Sequence, residues 1–447
     1  MPTSPSTALA PSATDTAWPD GITPTEEFRT ALSFVHEGDG NLFVTGRAGT
    51  GKSTLLRALR NTTDQELVVV APTGLAAVNV GGQTIHSFFG LPPRLLRLDD
   101  SRRSRNGQVM RKLKYLVIDE VSMVRSDLMW AIDQSLRVNR GRPREPFGGV
   151  RLVLFGDLHQ LPPVVQEPEV AEHLESEFGG PFFFSVPALA EGAGTTRIEL
   201  TQVFRQSDEA LISVLNRIRD GEANEEDLAE LNQRVAPIRT LSEGERYVIL
   251  TPTNAAAQRI NTAYLDALPG RAYTYEAGIT GDFTQASHPT DSALILKPGA
   301  KIILLRNDPE KRWVNGTIAR ISRLEERKVF IEVAGREHEL EPANWEQRRY
   351  AFDKDQEKIV GTVAGTFKQF PVRLAWALTI HKAQGLTLDN VYIDLGRGTF
   401  AHGQAYVALS RCRSLQGLAL ARRLEPRDIL FDPAAMGYRD RFPLAQP

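Results

Sequence analysis

One cysteine, Cys412, is all that a chain of 447 residues carries. Its solitude excludes an internal disulfide framework and any cysteine-rich zinc knuckle, and it suits a reducing cytoplasm. Long apolar runs are missing as well. None approaches the roughly 18 residues that a membrane-spanning helix requires, so a membrane protein is not expected. Charge of one sign is absent too: 53 basic residues against 55 acidic leave a net charge of −2. The chain therefore cannot coat a polyanion by bulk attraction, and any nucleic-acid site must be a local patch. The stretch 1–22 has no arginine and neither the basic nor the apolar region of a signal peptide. Rich in Ser, Thr, Ala and Pro, it reads as a disordered tail. No fixed-period repeat points to a solenoid.

What is present is an ordinary globular balance, 41% hydrophobic and 24% charged, over a length that suggests about two to four domains. From Asn41 onward a short apolar run, a turn rich in Gly, Pro, Ser or Thr, and a helix-like stretch alternate. That is how a parallel sheet flanked by helices reads. The runs are 42–45, 67–71, 115–118 and 151–155, and each ends in polar or glycine-rich residues, where ligands sit in open parallel sheets. A second set at 247–250, 374–380 and 391–395 predicts a second α/β core. Between its parts, 294–333 reads as alternating short strands (301–305, 317–321, 328–333) with turns at Asn307-Asp308-Pro309 and Asn315-Gly316. An inserted small β-barrel is expected there, with an irregular surface excursion as the alternative.

Gly46-Arg47-Ala48-Gly49-Thr50-Gly51-Lys52-Ser53 has P-loop spacing between an apolar strand and the helical run 54–60. Glycines allow successive N–H groups to turn inward on phosphates, and the helix N-terminus adds a favourable dipole. In that frame Lys52 reaches the β and γ oxygens of ATP and Ser53 ligates Mg²⁺. Thr50 and Thr54 flank them. Val117-Ile118-Asp119-Glu120 then ends another apolar strand in paired carboxylates. Alone, such a pair suits the acidic first turn of a helix equally well. Behind a P-loop, Asp119 holds the metal through water and Glu120 orients and deprotonates the attacking water. A hydrolytic ATPase follows from the residues themselves.

Asp119-Glu120-Val121-Ser122-Met123, Pro146-Phe147-Gly148-Gly149 and Gly156-Asp157-Leu158-His159-Gln160-Leu161-Pro162-Pro163-Val164 together resemble one family, the Pif (petite integration frequency) family of superfamily-one DNA helicases. The match continues in family order through 71–74, 82–89, 200–206, 379–387 and 406–413, and covers the chain from about Thr23 to about Leu430. The resemblance implies that Gln160 senses the γ-phosphate from the first core. Arg205 and Arg411 would reach it from the second as arginine fingers, with Gln384 and Gly385 nearby. For either arginine alone, the competing reading is an interdomain salt bridge. Thr73, His86, Ser87, Phe88, Asn254, Thr379, His381 and Lys382 occupy motifs that face the DNA strand in this family, where hydroxyls and lysine hold phosphate and rings stack on bases. One of Phe88 and Phe89 is expected to be core, since neighbours rarely share a face. His86 has an alternative as a hydrogen-bonded buried histidine.

The resemblance thus implies an α/β fold of two P-loop cores: the first over 23–202, with a wedge insert at about 90–112, and the second over 203–291 and 372–437, split by an SH3-like barrel at 292–371. It implies 5′-to-3′ travel on single-stranded DNA, unwinding of duplex or fork DNA and of G-quadruplexes, a single chain as the working unit, and a place in the bacterial cytoplasm or nucleoid. A RecD-like subunit of a nuclease complex is the alternative. Helicases of this type present an adenine-reading glutamine ahead of the P-loop, and Glu27 stands where it is expected. Segment 94–114 carries eight basic residues against two acidic ones, a local +6. Arg102, Arg103 and Arg105 within it are candidates for phosphate contact beside the wedge, the alternative being a solvated loop.

Overall fold

The computed structural model of the chain describes residues 18, 24–63, 66–97, 100, 104–165, 167–191, 194–204, 208–353 and 355–445. Of the tail expected over 1–22 only Trp18 is among them; its indole stacks on Phe28, ring centroids 5.5 Å apart.

Helix α1 (Glu26–Glu37) starts where the Thr25 hydroxyl accepts from the Phe28 amide, a cap worth about 1 kcal/mol. After it come β1 (Asn41–Gly46), α2 (Lys52–Thr62), β2 (Leu67–Ala71), α3 (Gly74–Asn79), β3 (Gln83–Thr84), α4 (Ile85–Phe89), α5 (Gly107–Lys112), β4 (Tyr115–Ile118), α6 (Ser126–Arg140), β5 (Arg151–Phe155), α7 (Pro168–Phe178) and β6 (Thr195–Leu200). The six strands form one sheet in the order β3-β2-β4-β5-β1-β6, parallel throughout. Val68 and Val70 enter one hydrophobic cluster and Val69 the other, the period-two alternation of a strand covered on both faces. The four runs read from the sequence are central strands of this sheet. β1, β5 and β4 are adjacent, so the loops leaving their carboxyl ends converge on one crevice.

The second core begins with α8 (Glu209–Asp220), capped by Asp208, and β7 (Val248–Thr251). An excursion of antiparallel strands follows: β8 (Tyr273–Glu276), β9 (Gly278–Gly281), β10 (Ala293–Leu296), β11 (Lys301–Leu304), β12 (Ile318–Leu324), β13 (Val329–Val333), β14 (Arg336–Leu340), β15 (Ala343–Asp353), β16 (Lys358–Gln369) and β17 (Val372–Leu374). They make sheets in the orders β10-β8, β14-β13-β12-β11-β17 and β15-β16-β9. Antiparallel pairing therefore starts before residue 292 and ends after residue 371, beyond both expected boundaries. The chain then returns through β18 (Ala377–Thr379), β19 (Val391–Ile393) and β20 (Leu418–Leu420), giving a parallel sheet β18-β7-β19-β20. Ile249, Ala377 and Tyr392 of this sheet share a buried cluster with Leu294, Ile302 and Val372 of the excursion. That shared cluster seats the inserted strands on the second core.

Among the described residues, two segments cross between the halves. The long β15–β16 hairpin carries Tyr350, Phe352 and Ile359 into the first core's cluster, and the Val69 amide donates to the Tyr350 hydroxyl at 3.2 Å. The C-terminal segment corrects the expected limit of the second core at 437. Ala435, Tyr438 and Phe442 are buried in the first core, and residues 443–445 run beside β6, with Arg197 bonded to Pro443 and Ala445 at 2.8 Å each. Among the described residues, no helix is long and apolar enough to cross a membrane.

Candidate nucleotide site between the two cores

The P-loop leaves β1 and enters α2 at Gly51, whose φ of +87° lies in the left-handed region that L side chains rarely adopt. A Cβ there would also sit 2.6 Å from Phe28 Cζ. Ser53 is exposed on the first turn of α2 and Thr54 is half-buried beside it, while Thr50 is buried and donates to the Arg47 carbonyl at 2.9 Å. Lys52 Nζ donates to the Gly46 and Arg47 carbonyls at 2.6 and 3.1 Å. Gly46 and Gly49 hold the positive φ values that turn the loop inward.

Asp119 and Glu120 follow β4 at the floor of the same crevice, both half-buried. Glu120 has φ +51° and ψ +42°. A non-glycine residue held there costs of order 1–3 kcal/mol, strain of the sort that collects at functional sites. Burial pushes the Asp119 carboxyl up to about 6 against the pull of Lys52. Burial and the Asp119 charge push Glu120 up to about 7. Raised values of this kind put a carboxyl within reach of neutral-pH proton transfer.

Gln160, buried beyond β5, donates to Asp157 Oδ2 at 2.9 Å. The second core reaches both Glu120 and Gln160 through one side chain. Gln384 Nε2 donates to Glu120 Oε2 and to Gln160 Oε1, each at 3.1 Å, and Gly385, with φ +84°, turns the loop that carries it. Arg411 lines the same cleft, which has a volume of about 820 Å³ and is walled by P-loop residues on one side and Gln384, Gly385 and Thr387 on the other. Its guanidinium is buried on its own core, donating to the Val407 carbonyl at 2.9 Å and the Ser410 hydroxyl at 2.7 Å. Arg205 lies outside the described residues. A deep cleft of this size between two α/β cores, with lysine, carboxylates and glutamines converging, suits a nucleoside triphosphate.

Comparison with known proteins adds the family. A family model described as PIF1-like helicase matches residues 26–229. Pif1 of Bdellovibrio bacteriovorus, an ATP-dependent DNA helicase, is 32% identical over 428 residues, spanning 93% of this chain and 91% of its own. Human PIF1 is 34% identical across 92% of this chain, which spans 63% of that larger relative. The unliganded Pif1 of a Bacteroides species has a TM-score of 0.86 at 36% identity, covering 94% of this chain and 97% of that one. The chain belongs to the PIF1-like helicase family. It is an ATP-dependent DNA helicase by that membership. Bacteroides Pif1 bound to single-stranded DNA scores lower, 0.66 at 35% identity.

The residues in the family's strand-facing motifs divide by exposure. Thr73, Ser87, Asn254 and Lys382 are exposed and His86 and His381 half-buried; burial holds both histidines below the usual range. Two expectations need correction. Phe88 is fully buried, covered edge-on by Phe89 at 4.9 Å and by Tyr350 of the hairpin at 6.1 Å. Phe89 is buried as well, because a turn of α4 wedged between the sheet and the hairpin has two covered faces. Thr379 is likewise buried at the end of β18, its hydroxyl accepting from the Lys382 amide at 3.2 Å; it shapes the turn that presents Lys382. Arg105 is exposed, while Arg102 and Arg103 lie outside the described residues.

On the Phe28 side of the PIF1-like nucleotide cleft, Glu27, expected where the base is read, is not among the lining residues. Glu27 turns away and accepts from the Thr201 hydroxyl at 2.6 Å, which holds its carboxyl below the usual range. The wall there is Phe28, with Thr25, Gln202 and Phe204 alongside. Gln202, Phe204 and Thr387 stood inside quoted motifs without an assignment; Phe28 had no signal beyond its place on the apolar face of α1. An aromatic ring cannot match the donor and acceptor pattern of adenine. Glu27→Gln is therefore expected to leave the ATP-to-GTP ratio of kcat/KM within about two-fold of the parent's. A gain in ATP preference well beyond that would return the role to position 27.

Proposed function

We propose that this helicase closes its two cores on ATP and converts each cycle into 5′-to-3′ travel along one DNA strand, opening duplexes, forks and G-quadruplexes ahead of it. The observation that carries the reading is the Gln384 amide shared between Glu120 and Gln160. It ties the second core to both groups of the first that would act on the γ-phosphate, so core movement and chemistry are coupled. Lys52 binds the phosphates, Glu120 prepares the attacking water, Gln160 senses the γ-phosphate, and Arg411 with Arg205 stabilises the transition state. The lower likeness to the DNA-bound relative supports a rearrangement on strand binding.

Among the described residues no group of three or more His, Cys, Asp or Glu side chains could hold a metal. A cation at this site must take most of its ligands from phosphate and water, the habit of Mg²⁺. Ser53 and Asp119 fit that sparse donor set, and the ion would neutralise charge developing on the phosphates. That P-loop and Gln384 belong to one chain supports a single copy as the working unit. His86, Ser87, Asn254, His381 and Lys382 would grip the strand, and Thr73 would contact phosphate. Arg105, with Arg102 and Arg103, would touch the duplex near its point of splitting.

Direction is tested with duplexes bearing one single-stranded tail. The 5′-tailed duplex should be unwound at least about ten times faster than the 3′-tailed one, since a motor loads on single strand and moves toward the junction from one side only. Equal rates, or a 3′ preference, would overturn the polarity.

A further inference from the structure

Gln160 is held from two sides, and the second hold leads to a residue outside every motif quoted above. Gln384 bonds its amide oxygen; Asp157 Oδ2 accepts from its amide nitrogen. The other oxygen of Asp157 faces Arg219 Nη2 at 3.8 Å. Both Asp157 and Arg219 are buried, the arginine only 3% exposed. Arg219 lies in the last turn of α8, whose Leu211, Val214, Leu215 and Ile218 pack in the second core's cluster with Val407, Ala408 and Leu409. Asp208 fastens the start of the same helix to that core, accepting from the Leu415 amide at 2.8 Å. Arg219 therefore moves as part of the second core, while Asp157 and Gln160 move with the first.

We infer that Arg219 is a positioning residue for ATP hydrolysis: it reaches across from the second core to Asp157 and through that carboxylate sets the orientation of Gln160. The inference rests on the proposed role of Gln160 at the γ-phosphate. Glu199 at 3.5 Å and Asp220 at 3.6 Å share the guanidinium. Burial opposes charge on Asp157, but Arg219 foremost, then Lys52, keeps it below the usual carboxylate range, so it stays an acceptor for the Gln160 amide. His159 completes the junction, its Nδ1 2.7 Å from the Arg219 carbonyl. Burial and the Arg219 charge lower this imidazole to about 4, so its 3.9 Å approach to Asp220 is not an ion pair near neutral pH. At 3.8 Å the contact between Arg219 and Asp157 is longer than a hydrogen bond. A small approach of the cores shortens it, and a fixed second grip on Gln160 results.

The test is a double-mutant cycle on the full chain, read as kcat and KM for ATP with saturating oligothymidylate, and as binding of a fluorescent ADP analogue. Arg219→Met should lower kcat by about ten-fold or more while KM and ADP affinity change by less than about two-fold, the split expected of a group acting on the transition state. In a Gln160→Ala background the same substitution should cost less than about two-fold, because the group it orients is gone. Arg219→Lys keeps the buried charge, and with it the fold, yet lacks the guanidinium's reach; it should lose about three-fold, again only when Gln160 is present. Equal fractional losses in both backgrounds would overturn the inference and leave Arg219 as an interdomain strut. A Gln160→Ala enzyme with parental kcat would overturn both the inference and the reading of Gln160 beneath it.

Discussion

Arg411→Ala is expected to bind ATP nearly as tightly as the parent and to lose about 10³-fold or more of the turnover seen with single-stranded DNA. The reason lies in where the arginine stands. It lines the nucleotide cleft but commits its guanidinium to the Val407 carbonyl and the Ser410 hydroxyl of its own core. A cation held back in this way adds little to ground-state binding. If closure on the strand brings it to the γ-phosphate, it meets charge that develops only in the transition state, so its loss appears in kcat and not in affinity. Arg411→Lys separates chemistry from packing. Lysine retains the charge but not the planar fork, and it should recover folding without recovering most of the turnover. Nucleotide titration and DNA-stimulated ATPase measure the two quantities separately. Full stimulation in the alanine variant would remove Arg411 from catalysis.

How much of this was readable from residues alone depended on range. The central strands of the first sheet were legible because burial on both faces gives unbroken apolar runs, and the P-loop because its glycines meet a local backbone demand. The Asp119–Glu120 pair was legible as a strand end. β6 was not, since Thr195 to Leu200 alternates polar and apolar residues on an edge strand. The β15–β16 hairpin escaped for a related reason. Its sequence is largely polar, with Tyr350 and Phe352 half-buried only against a core that lies far away in the chain. That distant cover is also what buries Phe88, whose motif alone placed it against DNA. Gln384 was placed near the phosphate site, but its bond to Glu120 spans 264 residues, and Arg219 reaches Asp157 from a helix with no motif. Local pattern carries elements and loops. Contacts between cores depend on how the two sheets are set against each other, which no local pattern encodes.

The Glu120→Gln variant should retain nucleotide binding and lose about 10²- to 10⁴-fold of hydrolysis, the range of a positioned general base, whereas Lys52→Ala should weaken binding and hydrolysis together. The stability of the glutamine variant offers a second reading. Burial and Asp119 raise Glu120 to about 7 from an ordinary value of 4.5. Between those values the unfolded chain gives up this proton before the folded one does, so the folded state binds more protons and the parent loses stability as pH rises through the window. Glutamine carries no charge to bury and keeps the amide of Gln384 within hydrogen-bonding reach. The nucleotide-free variant should therefore melt higher than the parent at pH 8, with the difference shrinking toward pH 4.5, where the folded parent's carboxyl is already neutral. Such a gain from removing a catalytic group is what a site held for activity at a cost in stability predicts. Thermal melts at the two pH values, beside single-turnover hydrolysis with oligothymidylate, measure both effects. A glutamine variant that hydrolyses ATP at the parental rate would move the base elsewhere, and an equal melting difference at both pH values would show that Glu120 does not titrate inside the fold.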